Sequence, residues 1–238
     1  MTKANFDVGS SVAQAGWMVL TQQYWDSFND NLDGEGINFY DTRLFYAPVI
    51  AINVWESILD EVFRNDIMLY KESIFGEKES GLERLSVVTK TKIYPRILTN
   101  KTILKKDDDL WSDFKNICTL RNEIVHFKSG LYEAPNSLLK TVKSLRDKKI
   151  TIHLENCSTG WINEISTSEV SRFCINTISQ MINRLFELLE ETNKQDLAPI
   201  YRIGGLFKEI TIEDAKKKML SEGISVDRVK NMYLFPNE

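Results

Sequence analysis

The chain has 238 residues, 42% hydrophobic and 27% charged, and a formal net charge of −4. That length can bury a sizeable core, and the composition argues against a disordered, fibrous or membrane-embedded chain and against a general nucleic-acid coat. Three widely spaced cysteines, Cys118, Cys157 and Cys174, form no C-x-x-C pair, which argues against a disulfide framework or structural zinc and for a reducing compartment.

Met1 to Asp7 lacks a basic segment followed by an apolar run, so no secretory signal is expected. A moderately apolar stretch from about Ser10 to Phe28 predicts a first helix, and Asp33-Gly34-Glu35-Gly36 a loop. From about Phe39 to Tyr70, Leu44, Phe45, Val49, Ile52, Trp55, Leu59, Val62, Phe63 and Ile67 recur in steps of three and four, which predicts a long amphipathic helix. Pro48 either kinks that helix or marks its start. The apolar run from Leu44 to Trp55 is shorter than the roughly 20 residues a bilayer span needs. The expectation is a cytoplasmic protein with no membrane contact.

A third helix is predicted over Leu82 to Leu98, with Pro95 bending or ending it, and a fourth over Asp107 to Phe127. Asp107-Asp108-Asp109 suits the positive end of that fourth helix better than it suits a divalent metal, and Ser129-Gly130 stops it. A short helix follows from Pro135 to Arg146, and Ile150 to Leu154 alternates as a short strand or extended loop would. Ser166 to Glu169 reads as a capping box for a long helix to about Thr192, with Val170, Cys174, Thr177, Ile178, Met181, Leu185 and Leu188 on one face. Thr211-x-x-Asp214 opens a short helix that Gly223 ends, and Ser225 to Leu234 forms a last one. The expected architecture is all-α: a helical bundle over 1–196 and a small C-terminal helical appendage over 197–238.

Charge is unevenly placed. Lys90 to Lys149 holds 14 basic and 7 acidic residues, net +7, against −11 for the remainder. A basic segment on an acidic body is the pattern of a local polyanion site. Within it lies Arg121-Asn122-Glu123-Ile124-Val125-His126, which contains one of only two histidines. At about 100° per residue, with Ile117 at the origin, Leu110, Phe114, Leu120, Ile124 and Phe127 fall within about 80° and define the core face. Arg121 falls at about 40°, inside the apolar stripe, where a guanidinium is costly unless paired, at a cleft or at a subunit interface. Asn122 and His126, four apart, share a strip at about 140° to 180°, where the amide can orient the imidazole. His153 reads as a surface residue. A cation to hold a phosphate and an imidazole to move a proton are what phosphodiester cleavage requires.

Arg121-Asn122-x-x-x-His126 resembles the R-x4-6-H motif of the HEPN superfamily, in which a polar residue such as Asn is favoured directly after the arginine. The helical pattern from about Phe39 to Thr192 is similar to that family's bundle; the tail beyond Pro199 is not covered. The resemblance implies a metal-independent endoribonuclease acting as a homodimer with the site at the interface, in a bacterial toxin-antitoxin or phage-defence setting. RNA would be the substrate, an antitoxin or regulatory protein a further partner, and no metal or cofactor would be needed. His126 would shuttle a proton, Arg121 would grip the scissile phosphate, and Asn122 would orient one or the other. Lys128, Asn53 and Glu56 are candidates to line the same cleft, with Glu56 or Asp60 a possible partner of Arg121. The alternative is a non-catalytic HEPN-like protein that binds a partner protein or nucleotide through the same polar residues.

Overall fold

A computed structural model describes residues 6–30, 43–75, 85–105, 108–126, 134–151, 160–193, 206–221 and 223. The described residues form eight α-helices and one short 3-10 turn, with no strand among them, so the chain is all-α. The helices are α1 (Phe6–Asp30), α2 (Ala47–Phe75), α3 (Val87–Thr99), α4 (Asp109–Val125), α5 (Asn136–Asp147), α6 (Trp161–Ile165), α7 (Ser168–Glu191) and α8 (Ile212–Ser221).

Local chemistry sets most of these boundaries. Pro48 sits in the first turn of α2, directly after the 3-10 turn Leu44–Tyr46, so it marks a start and not a kink. The Ser86 hydroxyl caps α3 by accepting from Thr89 N at 3.2 Å, and Asn100 closes it in the left-handed region at φ 56°. Pro95 is accommodated inside α3 and is buried. For α7 the expected box at Ser166 is displaced by one residue. The Ser166 hydroxyl turns back to donate to Ile162 O at 2.7 Å, and Thr167 Oγ1 takes the capping bond from Val170 N at 3.3 Å. Glu169 bonds Arg172 instead of completing a box. The expected extended segment at 152–154, the stop at Ser129-Gly130 and the helix at Ser225 to Leu234 lie outside the described residues.

Two compact units divide the chain. The first comprises Met1–Trp17, Ala51–Lys115 and Thr177–Lys208; the second comprises Met18–Ile50, Asn116–Asn176 and Glu209–Glu238. The core of the first is aromatic. Trp55 is fully buried, donates from Nε1 to Thr91 Oγ1 at 2.9 Å and meets the edge of Phe114 at 6.4 Å between centroids. Trp111 stacks on Phe114 at 5.8 Å, Phe63 packs on Tyr94 at 5.9 Å, and Trp17 on Phe207 at 5.1 Å. Side chains of this size contribute about 2–3 kcal/mol each when fully buried.

In the second unit α5 buries Leu138, Val142 and Leu145. Arg146, near its end, grips Glu164 of α6 through two bonds of 2.7 and 2.6 Å. Val170, Cys174 and Ile175 of α7 complete the apolar set, and burial pushes the Cys174 thiol far up, which keeps it an inert packing group. Asn176 fixes the approach to α8 by bonding Ile210 twice, donating to its carbonyl at 3.0 Å and accepting from its N–H at 2.8 Å. The box expected at the start of α8 is present: Asp214 N donates to Thr211 Oγ1 at 3.0 Å while Asp214 Oδ2 accepts from Thr211 N at 3.0 Å.

Candidate functional site

The sequence places the candidate residues at the end of α4, and the helix is anchored before it reaches them. In the first unit, Asp108 Oδ1 accepts from Leu110 N at 3.0 Å, and its carboxylate pairs with Arg184 of α7. The bond from Arg184 holds the Asp108 carboxyl below the ordinary carboxylate range. In the second unit, Asn116 Nδ2 donates to Ser144 Oγ of α5 at 3.3 Å, and Ser137 Oγ of α5 donates to Glu123 Oε1 at 3.4 Å. The side chains between those ties alternate as the periodicity requires: Ile117, Leu120 and Ile124 are buried. Phe127, the last residue of the expected core face, lies outside the described residues.

Arg121 sits on the flank of this apolar stripe and is half-buried. Its Nε is shut off from solvent and makes no hydrogen bond among the described residues, whereas Nη1 donates to Asn122 Oδ1 at 3.1 Å. No carboxylate pairs with Arg121 among the described residues. The guanidinium is held by one neutral acceptor and retains donors for an anion. Asn122 is exposed. Its amide oxygen is engaged by Arg121, and its carbonyl accepts the backbone N–H of His126 at 2.9 Å. His126 follows the last helical residue and is exposed, so its imidazole can reach a ligand in solvent.

The structure thus links Arg121 directly to Asn122, and His126 to Asn122 through the backbone. Asn53 and Glu56 belong to α2 within the first unit. Asn53 is exposed, and Glu56 accepts from Lys90 Nζ at 2.7 Å while Asp60 accepts from the same ammonium at 3.0 Å. Both carboxylates proposed as partners of Arg121 are thereby engaged by Lys90. Burial opposes the charge on Lys90, but the two acids outweigh it and hold the ammonium's pKa above its ordinary value. The periodicity of α2 could not reveal this pairing, because Lys90 reaches the acids from α3, 34 and 30 residues away. Lys128 lies outside the described residues.

Among the described residues no group of three or more His, Cys, Asp or Glu side chains is arranged to hold a metal ion. No described helix is long and apolar enough to cross a membrane. No family model, curated protein or solved structure matches the chain.

Proposed function

We propose that the protein is a metal-independent endoribonuclease whose working residues are Arg121, Asn122 and His126. The observation that carries this reading is the state of Arg121: a partly desolvated guanidinium that has, among the described residues, one neutral hydrogen-bond partner and no carboxylate, five residues before an exposed imidazole. An arginine kept for packing or fold stability is expected to be matched by an acid, as Arg146 and Arg184 are here. The resemblance of Arg121-Asn122-x-x-x-His126 to the HEPN motif supplies the reaction class.

In that reaction the RNA provides its own nucleophile. The 2′-hydroxyl attacks the adjacent phosphorus as its proton is taken by a base, the bond to the 5′-oxygen breaks, and that oxygen regains a proton. The products are a 2′,3′-cyclic phosphate and a 5′-hydroxyl. His126 is the group able to exchange the proton. Arg121 stabilises the extra negative charge on the phosphorane, and Asn122 holds the guanidinium in place through its amide oxygen. The reading includes a homodimer, in which two copies of the motif supply base, acid and cation to one cleft; sedimentation of the native protein tests it.

The deciding experiment is incubation of the purified protein with end-labelled single-stranded RNA in excess EDTA, beside His126→Ala. Cleavage by the native protein alone, with cyclic phosphate at the new ends, supports the reading. Equal cleavage by both proteins, or dependence on added divalent metal, refutes it.

A further inference from the structure

A second cationic constellation lies in the first unit, in residues to which the nuclease reading gives no role. One side of α3, the segment after it and the first turns of α4 enclose a cavity of about 560 Å³. Lys92, Arg96, Lys105 and Lys115 all line it, and among the described residues no acidic one does. Lys92 and Arg96 are one helical turn apart on α3, and both are exposed. The back wall is Trp111, almost completely buried and stacked on Phe114. Lys92 Nζ lies 5.0 Å and Lys115 Nζ 5.7 Å from the centre of the Trp111 ring. Val88, Ile103 and Leu104 supply an apolar side wall.

Four cations around one concavity repel one another, and the indole offsets only part of that repulsion through cation–π attraction. Asp108, whose charge Lys105 feels, is already paired with Arg184, and Glu56 and Asp60 are held by Lys90. The arrangement lowers its free energy by taking up an anion. The cavity has the size of a small-molecule site, several times what one phosphate fills. Because ammonium groups lie over the Trp111 ring, that ring does not present an open stacking platform for a base. We infer that the cavity is a binding site for a small, multiply phosphorylated molecule, its phosphates held by Lys92, Arg96, Lys105 and Lys115 and any apolar part lying against Val88, Ile103 and Leu104. This inference is independent of the reading of Arg121 and His126.

The test is calorimetric titration of the full chain with inorganic triphosphate and with ATP, at low and moderate salt. It is repeated with Lys92→Gln/Arg96→Gln and with Lys140→Gln/Lys143→Gln, a pair of exposed lysines on α5 that serves as control. Both variants retain aliphatic stems on exposed helix faces, and an unchanged melting temperature verifies the fold. Saturable, salt-sensitive binding of either probe that the first variant weakens about tenfold or more and the control leaves intact establishes the site. Tighter binding of ATP than of triphosphate assigns the apolar wall to the nucleoside; equal binding assigns the site to the phosphates alone. Absence of binding by both probes overturns the inference, as does equal weakening in both variants. So does binding of a short single-stranded RNA, lost in the first variant, by a protein that binds neither small probe: the surface is then a polymer track.

Discussion

At the start of α4 the carboxylate of Asp108 accepts from Leu110 N and pairs with Arg184; at its end Arg121 meets, among the described residues, only the amide of Asn122, and His126 is exposed to solvent. Both ends carry charge within one 17-residue helix. In the first case opposite charges neutralise each other, so the gain is stability and little is left for a ligand. In the second the guanidinium is partly desolvated with no counter-charge among the described residues, which stabilises the fold little and leaves a ready anion contact. Where a cation already has its acid, it reads as scaffold; where it has none and is partly withdrawn from water, it is a candidate for function.

The comparison predicts its largest effect on cleavage. His126→Ala should lower the rate of RNA cleavage by about 10²- to 10⁴-fold, while its melting temperature stays that of the native protein, because an exposed side chain after the last helical residue packs little. Asp108→Asn should do the reverse, lowering the melting temperature and sparing cleavage. Parallel time courses and thermal melts of the two variants check this, and a matched loss of cleavage in both would erase the distinction between the two ends.

Arg146→Ala sharpens the same contrast within the second unit. The Glu164 side chain is 4% exposed and takes two bonds from Arg146. Removing the arginine takes both of these bonds from a buried carboxylate, at a cost of about 3 kcal/mol, read as a shift in the denaturant midpoint at constant slope. Arg121→Gln, which removes a partner from no acid among the described residues, should cost less than about 1 kcal/mol. Equal costs would mean that Arg121 is structural after all.

Acid titration gives a smaller effect with a defined sign. The bond from Arg184 lowers the Asp108 carboxyl below 3.8, and bonds from the Thr211 hydroxyl and backbone do the same for Asp214. Each group releases its proton more readily in the folded state. The stability it contributes is therefore complete above its unfolded value and lost as pH falls through the lower, folded one. Melting temperatures recorded from neutral pH into the acid range should decline in native protein and decline less steeply in Asp108→Asn, whose starting value is already lower. A parallel decline would show that Arg184 does not set this limb.

How far sequence could anticipate the structure follows from the range of each interaction. The buried faces of α4 and α7 were legible, because a period of 3.6 needs only one helix: Phe114, Ile117 and Leu120, like Cys174, Ile178, Met181 and Leu185, are all within 5% of complete burial. The five residues of α6 are too few to show a period. The cap of α7 was misplaced because two neighbouring hydroxyls competed for one role, and Ser166 found a carbonyl behind it. Of the site, the placement of Arg121 beside the apolar stripe at the end of α4 was legible, since it depends on that helix alone. The capture of Glu56 and Asp60 by Lys90 was not, nor was the cavity that brings Lys92 and Arg96 to Trp111 and Lys115. Those contacts join residues of different helices, and each helix alone presents them as ordinary solvated charges.

The cap of α8 is the case where local and distant chemistry can be separated. Thr211 and Asp214 satisfy each other's backbone donors, and both are exposed, so their contribution comes from the helix end itself. Asn176 binds the preceding residue, Ile210, at both backbone atoms, and Ala215 in the first turn of α8 is fully buried. Thr211→Ala should therefore cost about 1 kcal/mol and fray the first turn without releasing the helix. Hydrogen exchange separates the two roles. Faster exchange confined to Ile212, Glu213 and Asp214, with Ile210 N–H still protected, is the expected pattern. Loss of protection at Ile210 as well would mean that the cap, and not Asn176, holds this segment in place.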